Sequence, residues 1–416
     1  MTTRIIRQVL GSLFLSALAF NPSFPQSTLP GFIEVVLKNS PRLIEQKNNL
    51  KLASLDSALF RASLKTRIFS QNDGLYYPVV NGFGYDEIIT NGQELGVLIN
   101  FDKQVLFRGQ FNANMNSILL NRNQAENSLK ITEKDLVRNA TDLYLTAYGD
   151  YLQWQYNRDI ANLMLREDSI LQALTRSNIY RQTDYLVFQA DISKQRLASR
   201  NALLQYKTDL LALRYESGIS DTSFVELAIP ELGIKPYPEN QNSIFFKQYT
   251  LDSMQLLNQV DLISAEYKPQ LKLHADAGYL SSLVLTPYKN FGAGIGMSLL
   301  IPIYDGRGQQ IKKDRVQVLQ DNLLHQKSYF AQQYDLQTRQ LTILLGNLRD
   351  QTTDINTQLK FYDQLIPAER KLLSIGQLDI QQYFVVIQNY IDLKNQETVN
   401  KIRKWMITNQ INYLAN

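Results

Sequence analysis

Two stretches of about seventy residues keep a helical rhythm almost without interruption, and an ordinary helix has only about 12 residues. The first runs from Arg108 to about Asn178, with no proline and with Gly149 as its only glycine after Gly109. At 1.5 Å per residue it makes a rod of roughly 105 Å. Such a helix needs apolar neighbours along its whole length. Near Ile179 to Thr183 the rhythm slips, and a second helix follows from about Asp184 to Ser217, with Leu186, Ala190, Leu197, Leu204 and Leu211 on its apolar side. The pair reads as an antiparallel hairpin. The second long run, Asp305 to about Ile375, slips at Gly376 and returns as a last helix to about Leu414.

Each long run is preceded by strands. Leu95, Val97, Ile99 and Phe101 alternate with Gly96, Leu98 and Asn100, after a Gly-, Asn- and Tyr-rich region from Lys65 to Gly92 of loop and strand character. In the second half Leu271, Leu273, Ala275, Ala277 and Tyr279 alternate with Gln270, Lys272, His274, Asp276 and Gly278. A further strand carries Ile295, Met297, Leu299, Ile301 and Ile303 on one face and Gly294, Gly296, Ser298 and Pro302 on the other, where Leu300 is the apolar exception. Pro302 ends its ladder, Asp305 caps the incoming helix, and Gly306 and Gly308 permit the bend. Helices are expected from Leu29 to Leu64, restarted at Pro41, and from Ser243 to Glu266.

The order helix, strand, strand, long helix, returning helix therefore occurs twice. Phe107-Arg108-Gly109 matches Tyr304-Asp305-Gly306 at an offset of 197, and Tyr180 matches Gly376 at 196, which points to tandem duplication. The expected organisation is a signal peptide over 1–27, a first repeat over 28–218, a connector over 219–242 holding Pro230, Gly233, Pro236 and Pro238, and a second repeat over 243–416. Arg4 and Arg7 begin the signal, Val9 to Phe20 is its apolar run, and Ala17, Ala19 and Ser23 lie near plausible cleavage positions.

No other run approaches the roughly 18 to 20 apolar residues of a membrane-spanning helix. The formal charge of +4 falls to +2 once Arg4 and Arg7 are removed, and with no basic block or RNA-binding motif, nucleic acid is not an expected partner. Cysteine is absent, which removes disulfides, zinc–thiolate sites, thiol catalysis and an acylated N-terminal cysteine. His274 and His325 have no second ligand at metal spacing, and no Gly-rich phosphate loop or nucleophile elbow occurs. Acid pairs such as Glu167 and Asp168, or Glu133 and Asp135, fit solvated faces or inter-helix pairs. No cofactor, metal or enzymatic activity is expected.

An exported chain whose strands are apolar on one face and polar on the other suits an outer-membrane β-barrel. Four strands cannot close one, whereas three chains would supply about twelve. The competing reading is a pair of soluble hairpins, each with one buried face.

Tyr267-Lys268-Pro269-Gln270-Leu271 is similar to a proline-bearing entry into a barrel strand, and Leu300-Ile301-Pro302-Ile303-Tyr304-Asp305-Gly306-Arg307 to an exit from the barrel. Ser374-Ile375-Gly376-Gln377-Leu378-Asp379 is similar to a periplasmic helical turn, and Arg176 to Ala190 to its first-half counterpart. On these residues the chain resembles the TolC family of outer membrane efflux proteins over essentially all of its mature sequence. The resemblance implies a mainly α protein with membrane β-strands: a homotrimer with a 12-stranded barrel in outer membrane lipid, continued by an α-helical tunnel through the periplasm. It also implies docking to a periplasmic adaptor, or membrane fusion protein, of an inner-membrane pump. The expected function is the exit duct of a tripartite efflux or type I secretion system. A periplasmic coiled-coil adaptor or scaffold is the alternative.

On this reading Ile179, Tyr180, Thr183, Asp184, Leu373, Gly376, Leu378 and Asp379 form the periplasmic tip or gate. Ile179, Leu373 and Leu378 close it by apolar contact, and Asp184 and Asp379 lie in the first turns of the returning helices. Lys272, His274, Asp276 and Ser298 line the barrel lumen. Arg108, Gly109, Pro302, Asp305 and Gly306 make the barrel-to-helix junction. The chain departs from the family pattern at Tyr180, where a glycine is common, at Leu186 and Gln382, where an acid is common, and at Gln104, which replaces the exit proline beside an apparent three-residue insertion.

Overall fold

The structure, a computed structural model, describes residues 27–235, 243–282 and 289–415. The expected signal peptide, Pro236 and Pro238 lie outside the described residues. Helices α1 (Leu29–Asn39) and α2 (Pro41–Ser63) lead into strand β1 (Arg67–Tyr76), a one-turn helix α3 (Glu87–Thr90) and strand β2 (Gln93–Val105). Helices α4 (Arg108–Arg176) and α5 (Gln182–Ser217) follow. Then come α6 (Ile244–Glu266), β3 (Gln270–Ser281), β4 (Phe291–Leu300), α7 (Gly308–Ser374) and α8 (Ile380–Leu414).

Two compact units emerge. One comprises residues up to Ser40 with Leu136–Gly233 and Leu344–Gln410; the other comprises Pro41–Asp135, Ile234–Ile343 and Ile411–Asn416. Each unit draws on both halves of the chain.

The second unit holds a single antiparallel sheet in the order β1-β2-β3-β4. Its central pairing, β2 with β3, joins strands from the two halves, with Phe101 opposite Ala275 and Ile99 opposite Ala277. β1 takes ten residues of the Lys65 to Gly92 region that reads in sequence as mixed loop and strand, because β2 offers them a partner from Gln93 to Asp102. β4 ends at Leu300, three residues short of the expected Ile303. The cause is its partner: β3 begins at Gln270, opposite Leu300, directly after Pro269, so Ile301 onward has no ladder to join.

Among the cores of the first unit, two combine many aromatic and aliphatic side chains. Phe32, Tyr144, Tyr148, Tyr151, Tyr206, Leu210 and Leu213 form one, and Ile160, Met164, Leu171, Phe188, Leu373, Ile380 and Tyr383 the other. Burying each large side chain contributes about 1.5–3 kcal/mol, which stabilises helices too long to stand alone. The described part of the 219–242 connector is strapped to the first core. Arg214, almost wholly buried, donates from Nη1 to Asp221 O at 2.9 Å and Ser223 O at 2.5 Å, and Tyr144 Oη donates to Ala228 O at 2.6 Å.

Candidate functional site

The register sorts the sheet into two chemically distinct faces. On one, Ile68, Phe101, Ala275 and Ile295 lie side by side across the four strands. Neighbouring rows on that face hold Ile99, Ala277 and Ala293, then Leu273 and Met297 beside Lys103, the one charge among these rows, then Val105, Leu271 and Leu299. Toward one end the face carries Val97, Tyr279 and Phe291. These side chains are not a core: Ile295 is 93% exposed, Phe291 76% and Met297 75%.

The opposite face carries Arg67, Asp102 and His274 in one row and Asn100 and Asp276, beside Phe69, in the next. Lys272 lies between Gln104 and Ser298. The four residues expected at a lumen therefore share one polar face. Glycines of β4 make room for them: a Cβ on Gly296 would meet His274 Nε2 at 2.1 Å, and one on Gly294 would meet Asp276 Oδ1 at 2.8 Å.

Where strands give way to helices, residues from both halves interlock. Asp305 Oδ2 accepts from Gln309 N at 2.5 Å and caps α7, while Gly306 (φ 65) and Arg307 (φ 69) take left-handed conformations to make the bend. The Tyr267 hydroxyl donates to Asp305 and, with the Gln309 amide, holds that carboxyl below its usual range. Lys312 pairs with Glu266 at 2.7 Å and lies 5.6 Å from the centre of the Tyr267 ring. The two segments that carry the family resemblance thus touch each other. Pro302 lies two residues beyond β4, and Arg108 opens α4. Gly109 leaves space for Lys268, whose Nζ would lie 2.6 Å from a Cβ there. Gln110, not singled out in sequence, is nearly buried and ties the junction: Oε1 accepts from Phe107 N at 3.1 Å, and Nε2 donates to Ala265 O at 3.1 Å and Pro269 O at 3.4 Å. A glutamine one position past a glycine carries no periodicity that would single it out.

In the first unit, the turn from α4 to α5 and the turn from α7 to α8 end their long helices alike. Asn178 (φ 55) and Gly376 (φ 72) are the left-handed residues, with Ile179 N bonded to Leu174 O at 3.1 Å and Gln377 N to Leu372 O at 2.9 Å. Asn178, not Tyr180, is therefore the counterpart of Gly376. Asparagine reaches the left-handed region almost as a glycine does, so the missing glycine hid the correspondence. Asp379 sits one position before α8 instead of in its first turn, and its Oδ1 accepts from Gln381 N at 2.8 Å. Asp184 is in the first turn of α5, and Thr183 is exposed.

The expected closing contacts divide. Ile179 is exposed, but Leu373 is fully buried in the unit's own core and Leu378 packs against it, so these two hold one chain together. Tyr180 Oη lies 2.7 Å from Leu378 O and 3.1 Å from Leu373 O; burial, then the Asp379 charge, pushes its phenol up. Glu167, expected in a solvated face or an inter-helix pair, is buried and paired with Arg370, whose Nε donates to Oε2 at 3.2 Å. Asp168 accepts from Gln189 Nε2.

Leucines on α5 at seven-residue spacing, Leu197, Leu204 and Leu211, are exposed. So are Ile311, Val318, Tyr329, Leu336 and Ile343 on α7, at intervals of seven or eleven. Among the described residues no cluster of three or more metal-ligating side chains occurs, and no helix is long and apolar enough to cross a membrane.

No family model matches the chain, and no curated protein matches it. Solved structures do. The outer membrane protein VceC from Vibrio cholerae aligns over 93% of this chain and 95% of its own, at 14% identity and a TM-score of 0.77. The transmembrane channel protein CusC aligns over 94% and 92%, at 13% identity and a TM-score of 0.78. The CmeC outer membrane channel of Campylobacter jejuni aligns over 93% and 85%, at 13% and 0.75. The chain has the fold of these outer membrane and channel proteins.

Proposed function

We propose that the chain is one subunit of a homotrimeric outer-membrane channel, the exit duct of a tripartite efflux or type I secretion system. The observation that carries this reading is the sheet, with its exposed apolar face, its polar face and its two edge strands, β1 and β4. Alone in water such a sheet would aggregate through both edges and the apolar face. Three copies joined β4 to β1 close twelve strands and leave no edge. The mostly apolar rows from Val97 to Val105, with Lys103 as their one charge, span eight strand steps, about 27 Å along the strand and about 20 Å after tilting, close to the apolar band of about 25 Å in such barrels. Tyr279 and Phe291 then stand at one border of the band, where aromatic girdles lie.

The exposed stripes on α5 and α7 give neighbouring copies apolar seams to cover, and the helical hairpins continue the duct through the periplasm. Lys272, His274, Asp276 and Ser298 line the lumen. The two turns with Asp184 and Asp379 form the gated tip, which a periplasmic adaptor engages for an inner-membrane pump. The duct is passive and does no chemistry of its own.

Fractionation, heat-modifiable migration and planar-bilayer conductance test the reading together. Expected are outer-membrane recovery only with detergent, a trimer that falls to monomer on boiling, and discrete conductance steps. A monomer in the soluble periplasmic fraction without conductance would overturn it in favour of an adaptor or scaffold.

A further inference from the structure

Lys103 is a cation on an apolar face. It lies on β2 opposite Leu273, with Phe101 and Val105 next along the same face, and none of these neighbours is a carboxylate. Among the described residues it enters no ion pair. β1 stands between β2 and the edge of the sheet, so a strand added at that edge would lie two strand spacings, about 10 Å, from Lys103 and bring no acid within contact. A charge in such a place needs an anion or water at the end of its stem. Val105, two residues on, ends β2. Two strand steps are about 7 Å, or about 5 Å once the strand is tilted. The four-carbon stem of lysine spans that interval and carries Nζ to the border of the apolar band.

That border is basic. Over residues 103–109, 265–269 and 301–313 the bases are Lys103, Arg108, Lys268, Arg307, Lys312 and Lys313, and the acids are Glu266 and Asp305. Both acids are already engaged: Glu266 pairs with Lys312, and Asp305 accepts from the Tyr267 hydroxyl and the Gln309 amide. Lys268 reaches back to Gly109, where its Nζ would lie 2.6 Å from a Cβ, and Arg108 is the residue before that glycine. Neither Lys268 nor Arg108 has an acid partner among the described residues. The far end of the sheet has the opposite sign: residues 73–94 and 276–291 hold Asp73, Asp86, Glu87, Glu94 and Asp276 against Lys289.

We propose that the helix end of the sheet binds the phosphates of anionic phospholipids, with Lys103 meeting a phosphate from the apolar face and Arg108 and Lys268 completing the border. Ammonium and guanidinium groups form charge-assisted hydrogen bonds with phosphate oxygens, and basic segments beside a bilayer are drawn to negatively charged headgroups. The partner is a lipid and not a soluble anion, because the Lys103 stem runs among side chains that acyl chains cover. The acid-rich far end repels the same headgroups, so charge also sets which end of the sheet faces the phospholipid leaflet. The site rests on the reading that the apolar face meets lipid, and adds which lipid it selects.

The full chain is folded into vesicles of phosphatidylcholine alone and of an equimolar mixture with phosphatidylglycerol, then extracted in mild detergent, and the lipid it retains is identified by mass spectrometry. The parent is expected to retain phosphatidylglycerol well above its share of the mixture. Lys103→Leu leaves the face wholly apolar, so it should insert at least as well as the parent while its enrichment in phosphatidylglycerol falls about fivefold. Arg108→Gln with Lys268→Gln, which leaves β2 untouched, should lower the enrichment as well. Lys207→Gln, at an exposed position on α5, should leave it as in the parent. Equal retention of the two lipids by the parent, or parent-like enrichment in Lys103→Leu, overturns the proposal. A chain that inserts in both vesicles without preference overturns this site and leaves the duct reading standing; one that inserts in neither overturns both.

Discussion

Asp379 shows what a single side chain does at the turn. It caps α8 through the Gln381 amide, a contact whose loss costs about 0.5–2 kcal/mol. Asp379→Ala is expected to lower the thermal midpoint accordingly, while Asp379→Asn keeps the cap and removes the charge. If three copies of Asp379 and Asp184 face one axis, the Asn variant should lose block by divalent cations at unchanged stability. Parent-like block in that variant would leave Asp379 a cap only. Asp150 on α4 gives a pH signature. Burial, the hydrogen bond with Asp209 on α5 and the charge of Asp209 push it up to about 7. The folded chain therefore holds this proton where the unfolded chain has lost it, and the pair's contribution to stability is greatest below pH 3.8 and declines as pH rises to about 7. Asp150→Asn should flatten that slope and raise the melting temperature at pH 8 by roughly 2–4 °C, as seen by circular dichroism.

At the scale of elements, the sheet makes the sharpest prediction because its faces differ only by alternation. Arg in place of Leu273, Ala275, Met297 or Leu299 puts a charge on the apolar face and should cost about 2–4 kcal/mol near a bilayer midplane. Arg in place of Ser298 or Asp276 points to the polar face and should be tolerated. Refolding yields of trimer in lipid vesicles separate the two sets, and equal loss from both would refute the assignment of faces. Gly296→Val tests the bare strip on β4: the new side chain must displace the His274 ring, so the sheet should lose stability although valine suits a strand. The long helices were plain from their rhythm, and even Pro367 lies within α7 without ending it. Their packing was not plain, because the sheet pairs β2 with β3 across residues 93–105 and 270–281, and periodicity within a segment carries no information about its partner.

For the whole molecule, the exposed seams decide assembly. Leu204→Asp on α5 and, separately, Ile343→Asp on α7 alter side chains that are exposed in one chain. Each should leave helicity unchanged while shifting the trimer toward monomer in sedimentation, whereas a solvated stripe would tolerate both. What the sequence determined by itself follows from local chemistry: the helices, from their 3.6-residue rhythm; three of the strands, from alternation; the capping role of Asp305; and the TolC-like fold, from the two segments around Pro269 and Pro302. Only the tertiary structure decided that β4 stops at Leu300, that Asn178 and not Tyr180 corresponds to Gly376, that Leu373 is enclosed in its own chain, and that Gln110, Glu167 with Arg370, and Tyr180 are tied to distant partners. The end of β4 is set by the start of β3 thirty residues earlier; each of the others depends on which groups meet across more than 150 residues of chain or on a backbone angle set by its surroundings. A local pattern shows that a side chain is polar or apolar; the partner that satisfies it is chosen by packing.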